Sequence, residues 1–160
     1  MTLFLVRHGS AGIRNDGDPA DTERHLDDTG LGQSLLVAEH VRRTCADAAP
    51  VARVLSSPAA RCVETVEPLA TQLGLAVERT HALFEGTDIE HSWALLTGLA
   101  EAGATAVLCS HGDVIPDLVR RAQMRGMEVR GKTGCSKGSI WALDWDGARF
   151  ATGSYVSKPA

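Results

Sequence analysis

Three short apolar runs constrain this chain most, because each ends abruptly in a polar segment that no core would welcome. Thr2–Val6 runs into RHG, Val51–Leu55 into SSPAAR, and Ala104–Cys109 into SHGD. Runs of this length, rich in Val and Leu, fit buried strands. Between them lie segments with helical spacing: Leu31–Cys45, with Leu31, Leu35, Val37, Ala38, Val41 and Cys45 on one face; a helix through Val63, Val66 and Leu69 to a stop at Gly74; Glu90–Ala102; and Val114–Gln123. After SSP, Ser57 can cap the second helix with Pro58 at its first position. Ala76–Leu83 reads as a weaker strand, and Ser139–Trp145 with Arg149–Tyr155 as a hairpin closed by Asp146-Gly147.

Strands that alternate with helices predict an α/β fold, a three-layer α/β/α sandwich with a mainly parallel central sheet and a C-terminal β-hairpin. With 160 residues and no evident linker or repeat, one domain over residues 1–160 is expected. Two polar stretches, Ser10–Thr29 and Gly126–Gly138 with Arg130, Lys132 and Lys137, read as long loops that can border a site.

In parallel sheets, ligands gather at the carboxyl ends of the strands. Here those ends bring together Arg7, His8, Arg61 and His111. Paired guanidinium donors suit the nonbridging oxygens of a phosphoryl group, and a neutral imidazole can attack phosphorus. The surrounding cations disfavour protonation of His8.

Composition limits the alternatives. A net charge of −4 gives no general reason to expect nucleic-acid binding, so phosphate affinity must be local. No apolar run is long enough to span a bilayer and the N-terminus lacks the flanks of a signal peptide, so a cytoplasmic protein is expected. Cys45, Cys62, Cys109 and Cys135 lack paired spacing and read as reduced thiols; Cys109 with His111 is too small a ligand set for a metal site. His25, His40, His81 and His91 have no motif around them, Ser110 has no triad context, and Trp93, Trp141 and Trp145 read as packing residues.

Taken in order, RHG after the first strand, SSPAARCVET after the second, FEG after the third and SHGDVI after the fourth resemble the histidine phosphatase superfamily, also called phosphoglycerate-mutase-like, over almost the whole chain. The short length resembles its small bacterial branch, which includes phosphohistidine phosphatases and domains sometimes fused to Nudix hydrolases, although no Nudix motif is present. The resemblance implies that His8 becomes phosphorylated, that Arg7, Arg61 and His111 complete the phosphate pocket, and that Glu85 transfers the proton, with Asp88 and Asp113 as competing carboxylates. It implies no metal and no cofactor. The expected activity is hydrolysis of a phosphorylated small molecule or of phosphohistidine on a partner protein. A phosphoglycerate-type mutase and a noncatalytic phospho-ligand module are the alternatives. Arg14 stands where mutases carry Asn, which counts against the first; a binding module needs no nucleophile, which counts against the second. Arg14 and Lys137 are equally readable as solvated charges or as substrate contacts. Oligomeric state is left open.

Overall fold

The computed structural model describes residues 1–159. Seven strands form one sheet in the order β3-β2-β4-β1-β6-β7-β5: β1 (Thr2–Arg7), β2 (Arg53–Ser56), β3 (Val77–Arg79), β4 (Ala106–Ser110), β5 (Glu128–Arg130), β6 (Ile140–Trp145) and β7 (Phe150–Val156). β1, β2, β3 and β4 are mutually parallel, and β6 runs antiparallel to β1 and to β7. The sheet is therefore mainly parallel with an antiparallel hairpin after it, as the alternation implied.

The strands at its centre are apolar on both faces because both faces are covered. Along β1, Phe4 and Val6 pack with Val37, Ala38 and Val41 of α1 (Asp28–Thr44) and with Cys62, Val66 and Leu69 of α2 (Ala60–Leu73). Leu3 and Leu5 point the other way, into a cluster with Leu96 and Leu99 of α3 (Ile89–Glu101) and Ile115 and Leu118 of α4 (Val114–Met124). The period-two alternation of strand side chains thus divides the helices into two layers.

Several sequence expectations need correction. Helix α1 starts three residues earlier than its apolar pattern, because Asp27 caps it by accepting from the Gly30 amide. Its buried stripe is Gly30, Ser34, Val37, Ala38 and Val41, whereas Leu31 and Leu35 are 49% and 58% exposed. Helix α2 begins at Ala60 rather than Pro58, and Ser57 does not cap it. Only Val77–Arg79 of the third expected strand pairs; His81–Leu83 closes into a 3-10 turn in which the Thr80 hydroxyl accepts from the Ala82 amide. The Ser10–Thr29 loop holds a 3-10 turn at Pro19–Glu23. The Gly126–Gly138 loop contains β5, which pairs in parallel with β7 at the sheet edge; exposed Glu128 and Arg130 around a half-buried Val129 leave no apolar signature.

The register of β1 against β4 sets Arg7 opposite Ser110, and that of β2 against β4 sets Ser56 opposite Cys109. The residues that follow these three strands consequently emerge side by side at one edge.

Candidate active site

That edge opens into a cavity of about 720 Å³ lined by Arg7, His8, Arg61 and His111 together with Glu85, Asp113, Arg14, Arg24 and Lys137. The volume is typical of a small-molecule site.

His8 is 7% exposed. Its Nδ1 lies 2.8 Å from the carbonyl oxygen of Gly9. A carbonyl only accepts, so Nδ1 carries the proton and donates, leaving the lone pair on Nε2. Burial pushes the His8 pKa down to about 3; His111, Arg61 and Arg7 act in the same direction, opposed by the bond to Gly9. The ring is therefore neutral and nucleophilic at Nε2 through the physiological range.

Arg7 projects from the last position of β1, and its Nη1 donates to the Cys135 carbonyl at 2.6 Å. Its guanidinium lies flat against Gly112: a Cβ at that position would stand 2.9 Å from Arg7 Cζ. A side chain at this position of SHGD would push the Arg7 guanidinium aside, so the close approach favours glycine. Arg61, in the first turn of α2, is 1% exposed; Nη1 donates to the Asp21 carbonyl at 3.0 Å and Nη2 to Glu85 Oε1 at 3.1 Å.

His111 follows β4. Its Nε2 lies 2.8 Å from Ser57 Oγ and 3.5 Å from Cys62 Sγ, and its Nδ1 is 3.9 Å from Glu85 Oε2. The Ser57 hydroxyl, expected to cap α2, instead orients this imidazole. The rings of His8 and His111 meet edge to face, with centroids 5.4 Å apart.

Among the described residues, three buried side-chain polar atoms make no hydrogen bond within the protein: Arg7 Nε, Arg61 Nε and His111 Nδ1. All three belong to this cavity. Donors left unpaired in a folded interior are costly, and their concentration around His8 marks a place shaped for an anion with several acceptor oxygens.

Glu85 reaches the same place, between Arg61, His111 and Arg14, whose Nη2 is 3.5 Å from Glu85 Oε2. Its two competitors have other partners: Asp88 caps α3 by accepting from the Glu90 amide, and Asp113 Oδ2 accepts from the Gly86 amide at 2.8 Å. Arg14 also pairs with Asp16, and Lys137 lines the cavity without a carboxylate partner among the described residues. His25, His40, His81 and His91 lie outside the lining.

Sequence reasoning missed the brace behind the cavity. The Asp21 carboxylate accepts from Arg24 Nε at 2.9 Å and from the Asn15 amide, bonds that hold its pKa down to about 2. Asp27 accepts from the Ser10 hydroxyl and the Gly30 and Gly12 amides, with the same result. Together they fix the loop after His8. An i,i+3 Asp-Arg pair in a loop was the visible signal for the first; nothing in the sequence marked the second.

No group of three or more His, Cys, Asp or Glu side chains among the described residues is placed to hold a metal ion. No helix among them is long and apolar enough to cross a membrane.

Comparison with known proteins identifies the family and the fold. The family model for the histidine phosphatase superfamily (branch 1) matches residues 3–92. An 8-oxo-(d)GTP phosphatase of Mycolicibacterium smegmatis is 30% identical across 99% of the chain, which spans only 48% of that protein's length. Among solved structures, the protein histidine phosphatase SixA complexed with tungstate superimposes with a TM-score of 0.72 at 24% identity, covering 98% of this chain and 94% of that one. A mycobacterial glucosyl-3-phosphoglycerate phosphatase with VO3 gives 0.69 at 18% identity, covering 97% and 96%. These two likenesses concern the fold.

Proposed function

Since the chain belongs to the histidine phosphatase superfamily (branch 1), we propose that it is a phosphatase that works through a phosphohistidine intermediate on His8. The observation that carries the reading is the set of three buried nitrogens without protein partners, Arg7 Nε, Arg61 Nε and His111 Nδ1, gathered around an imidazole whose Nε2 lone pair is free.

In this reaction, His8 Nε2 attacks phosphorus in line. The P–N bond forms as the bond to the leaving oxygen breaks, and Arg7, Arg61 and His111 stabilise the equatorial oxygens. Glu85 gives its proton to the leaving oxygen. It then takes one from the water that attacks phosphohistidine, releasing phosphate and restoring neutral His8. Every step uses groups of this chain, and none requires a metal ion.

The similar proteins named above are phosphatases of 8-oxo-(d)GTP, of protein histidine and of glucosyl-3-phosphoglycerate. What their substrates share is a transferable phosphoryl group, so we take the substrate to be a phosphorylated small molecule or a phosphohistidine protein. Four free cysteines fit work in the reducing cytoplasm.

The test is hydrolysis of para-nitrophenyl phosphate in excess chelator by wild type and His8→Ala, with acid-labile phosphate sought on the wild-type protein. Chelator-resistant turnover that vanishes with His8 is expected. Equal activity in His8→Ala would remove the proposed nucleophile.

A further inference from the structure

Two buried thiols stand behind His111, and the reaction above does not use them. Cys62, in the first turn of α2, and Cys109, on β4, are both fully buried. Cys62 Sγ lies 3.5 Å from His111 Nε2, while the ring's other nitrogen, Nδ1, is 3.9 Å from Glu85 Oε2 and has no hydrogen-bond partner. Resting on the phosphatase reading above, we propose that Cys62 is a positioning residue that works as a thiolate: it is the counter-ion of His111, so that with a phosphoryl group in the cavity the ring carries a proton on each nitrogen and donates to that group from Nδ1.

His111 stabilises a phosphoryl oxygen only as a donor, and the nitrogen without a protein partner is Nδ1. A neutral ring with its one proton on Nδ1 offers a dipole. A ring protonated on both nitrogens brings a full charge to a transition state whose own charge lies on the equatorial oxygens. The second proton then needs an acceptor at Nε2. Ser57 Oγ, at 2.8 Å, also accepts from the Ala59 amide at 3.3 Å, and a hydroxyl has no charge to balance an imidazolium. Cys62 has one to give. Transfer of its thiol proton to Nε2 breaks the S–H bond, forms the N–H bond and leaves a sulfur anion beside the cation, with no further reactant.

The surroundings of the sulfur favour the anion. Cys62 sits at the start of α2, where the helix dipole stabilises a negative charge. Burial by itself would raise the thiol, but a hydrogen bond with Cys109, the contact with His111 and the charges of His111 and Arg61 outweigh it and bring the pKa down to about 6. Cys109 moves the other way: burial and the adjoining Cys62 push it well up, so it stays protonated and donates. The other acceptor in reach of a Cys62 thiol, the Ser110 carbonyl, is 3.8 Å away, farther than the imidazole. Around the ring itself stand neutral His8, with its centroid 5.4 Å off, the Glu85 carboxylate on the Nδ1 side, and the guanidinium groups of Arg7 and Arg61. Of these groups only the Cys62 thiolate is an anion beside Nε2.

The experiment reads the thiolate directly. Burial pushes the thiols of Cys45, Cys109 and Cys135 up, so the ultraviolet thiolate absorbance of folded wild type should rise by a single group as the pH passes about 6, and Cys62→Ser should lack that step. Kinetics of wild type, Cys62→Ser and Cys62→Ala on para-nitrophenyl phosphate between pH 5 and pH 8 test the consequence. At pH 8 both variants should lose about tenfold, mainly in kcat, the size of one charge-assisted hydrogen bond felt in the transition state. Serine keeps the shape without the charge, so it should not rescue. Toward pH 5, where solvent readily protonates histidine, the ratio of wild type to variant should fall toward one; taking the ratio cancels the ionisation of the substrate and of Glu85. Absence of a Cys62-dependent thiolate step below pH 8 overturns the proposal, as does a ratio that does not change with pH, which would leave Cys62 a packing residue. If neither variant folds, the absorbance of wild type decides alone. Turnover of para-nitrophenyl phosphate that survives His8→Ala would sink the phosphatase reading separately, because the thiolate step is measured without turnover.

Discussion

The hydroxyl oxygen of Ser57 lies 2.8 Å from Nε2 of His111, while Nδ1 of the same ring is buried without a hydrogen-bond partner, 3.9 Å from Glu85 Oε2. Ser57 thus fixes the orientation of the His111 ring from behind. Replacement by Ala removes the only oxygen partner of that buried nitrogen. Ser57→Ala should fold with unchanged circular dichroism but lose three- to tenfold in kcat/KM on para-nitrophenyl phosphate, the range for one internal hydrogen bond. Full activity in the variant would show that packing alone holds His111.

Arg61 performs two tasks that the sequence could not separate. It lines the cavity with a buried Nε that has no protein partner, and it also ties the Pro19–Glu23 turn to α2 through the Asp21 carbonyl. Lysine retains the charge and loses the fork. Arg61→Lys should reduce kcat/KM by about a hundredfold. It should also make the 10–28 loop more susceptible to limited proteolysis. A variant with low activity but unchanged proteolysis would assign Arg61 to phosphate alone.

What was legible followed from strand chemistry. RHG and SHGD stood out because an apolar run cannot carry Arg and His into a core, and parallel strands of matching register must deliver such residues to a common edge. What was illegible depended on partners distant in sequence. SSP fits a cap pattern, and only the position of His111, 54 residues away, takes its hydroxyl elsewhere. Leu31 and Leu35 matched a helical face, but the close fit of Gly30 against Ser10 turned a different stripe toward the sheet. Strand β5 has only three polar-flanked residues and forms because β7 offers it an edge.

That close fit gives a stability prediction. A Cβ on Gly30 would stand 2.0 Å from the Ser10 carbonyl oxygen, a backbone atom of the loop that begins at His8. No side-chain rotation relieves such a collision. Gly30→Ala should destabilise the fold by about 2 kcal/mol or more in denaturant titration, as overpacking does, and should reduce turnover by displacing the His8 loop. Gly32→Ala, where an added Cβ meets nothing within 4 Å, is the control on the same helix and should cost nothing measurable. Equal stability of the two variants would refute the argument.

The depressed pKa of His8 makes stability depend on pH with a definite sign. The unfolded chain takes up a proton near 6.5, whereas the folded chain refuses it until about 3. Between these values the unfolded state binds more protons, so stability is full above 6.5 and declines as the pH falls toward 3. At pH 5 the loss from this one group is about 2 kcal/mol. His8→Asn should therefore lose less stability than wild type between pH 7 and pH 5, in urea titrations at both values. Parallel losses in the two proteins would mean that His8 protonates freely in the folded state, and an NMR titration of its ring nitrogens would then show a midpoint near 6.5.

Three buried nitrogens without partners, two of them guanidinium donors, imply that an oxyanion stabilises this protein by binding to the folded state alone. At a concentration one hundred times its dissociation constant, phosphate or tungstate should add about 2.7 kcal/mol, which for a chain of this size raises Tm by roughly 5 to 10 °C. Arg7→Met removes one of the three nitrogens, Arg7 Nε, and leaves the cores on both faces of the sheet intact, so its Tm should respond far less. Sulfate at equal ionic strength separates oxyanion binding from general salt effects: like phosphate, it should shift wild type more than chloride does. If chloride raised Tm as much as phosphate in wild type, or phosphate shifted Arg7→Met as much as wild type, the unpaired nitrogens would not constitute an oxyanion site.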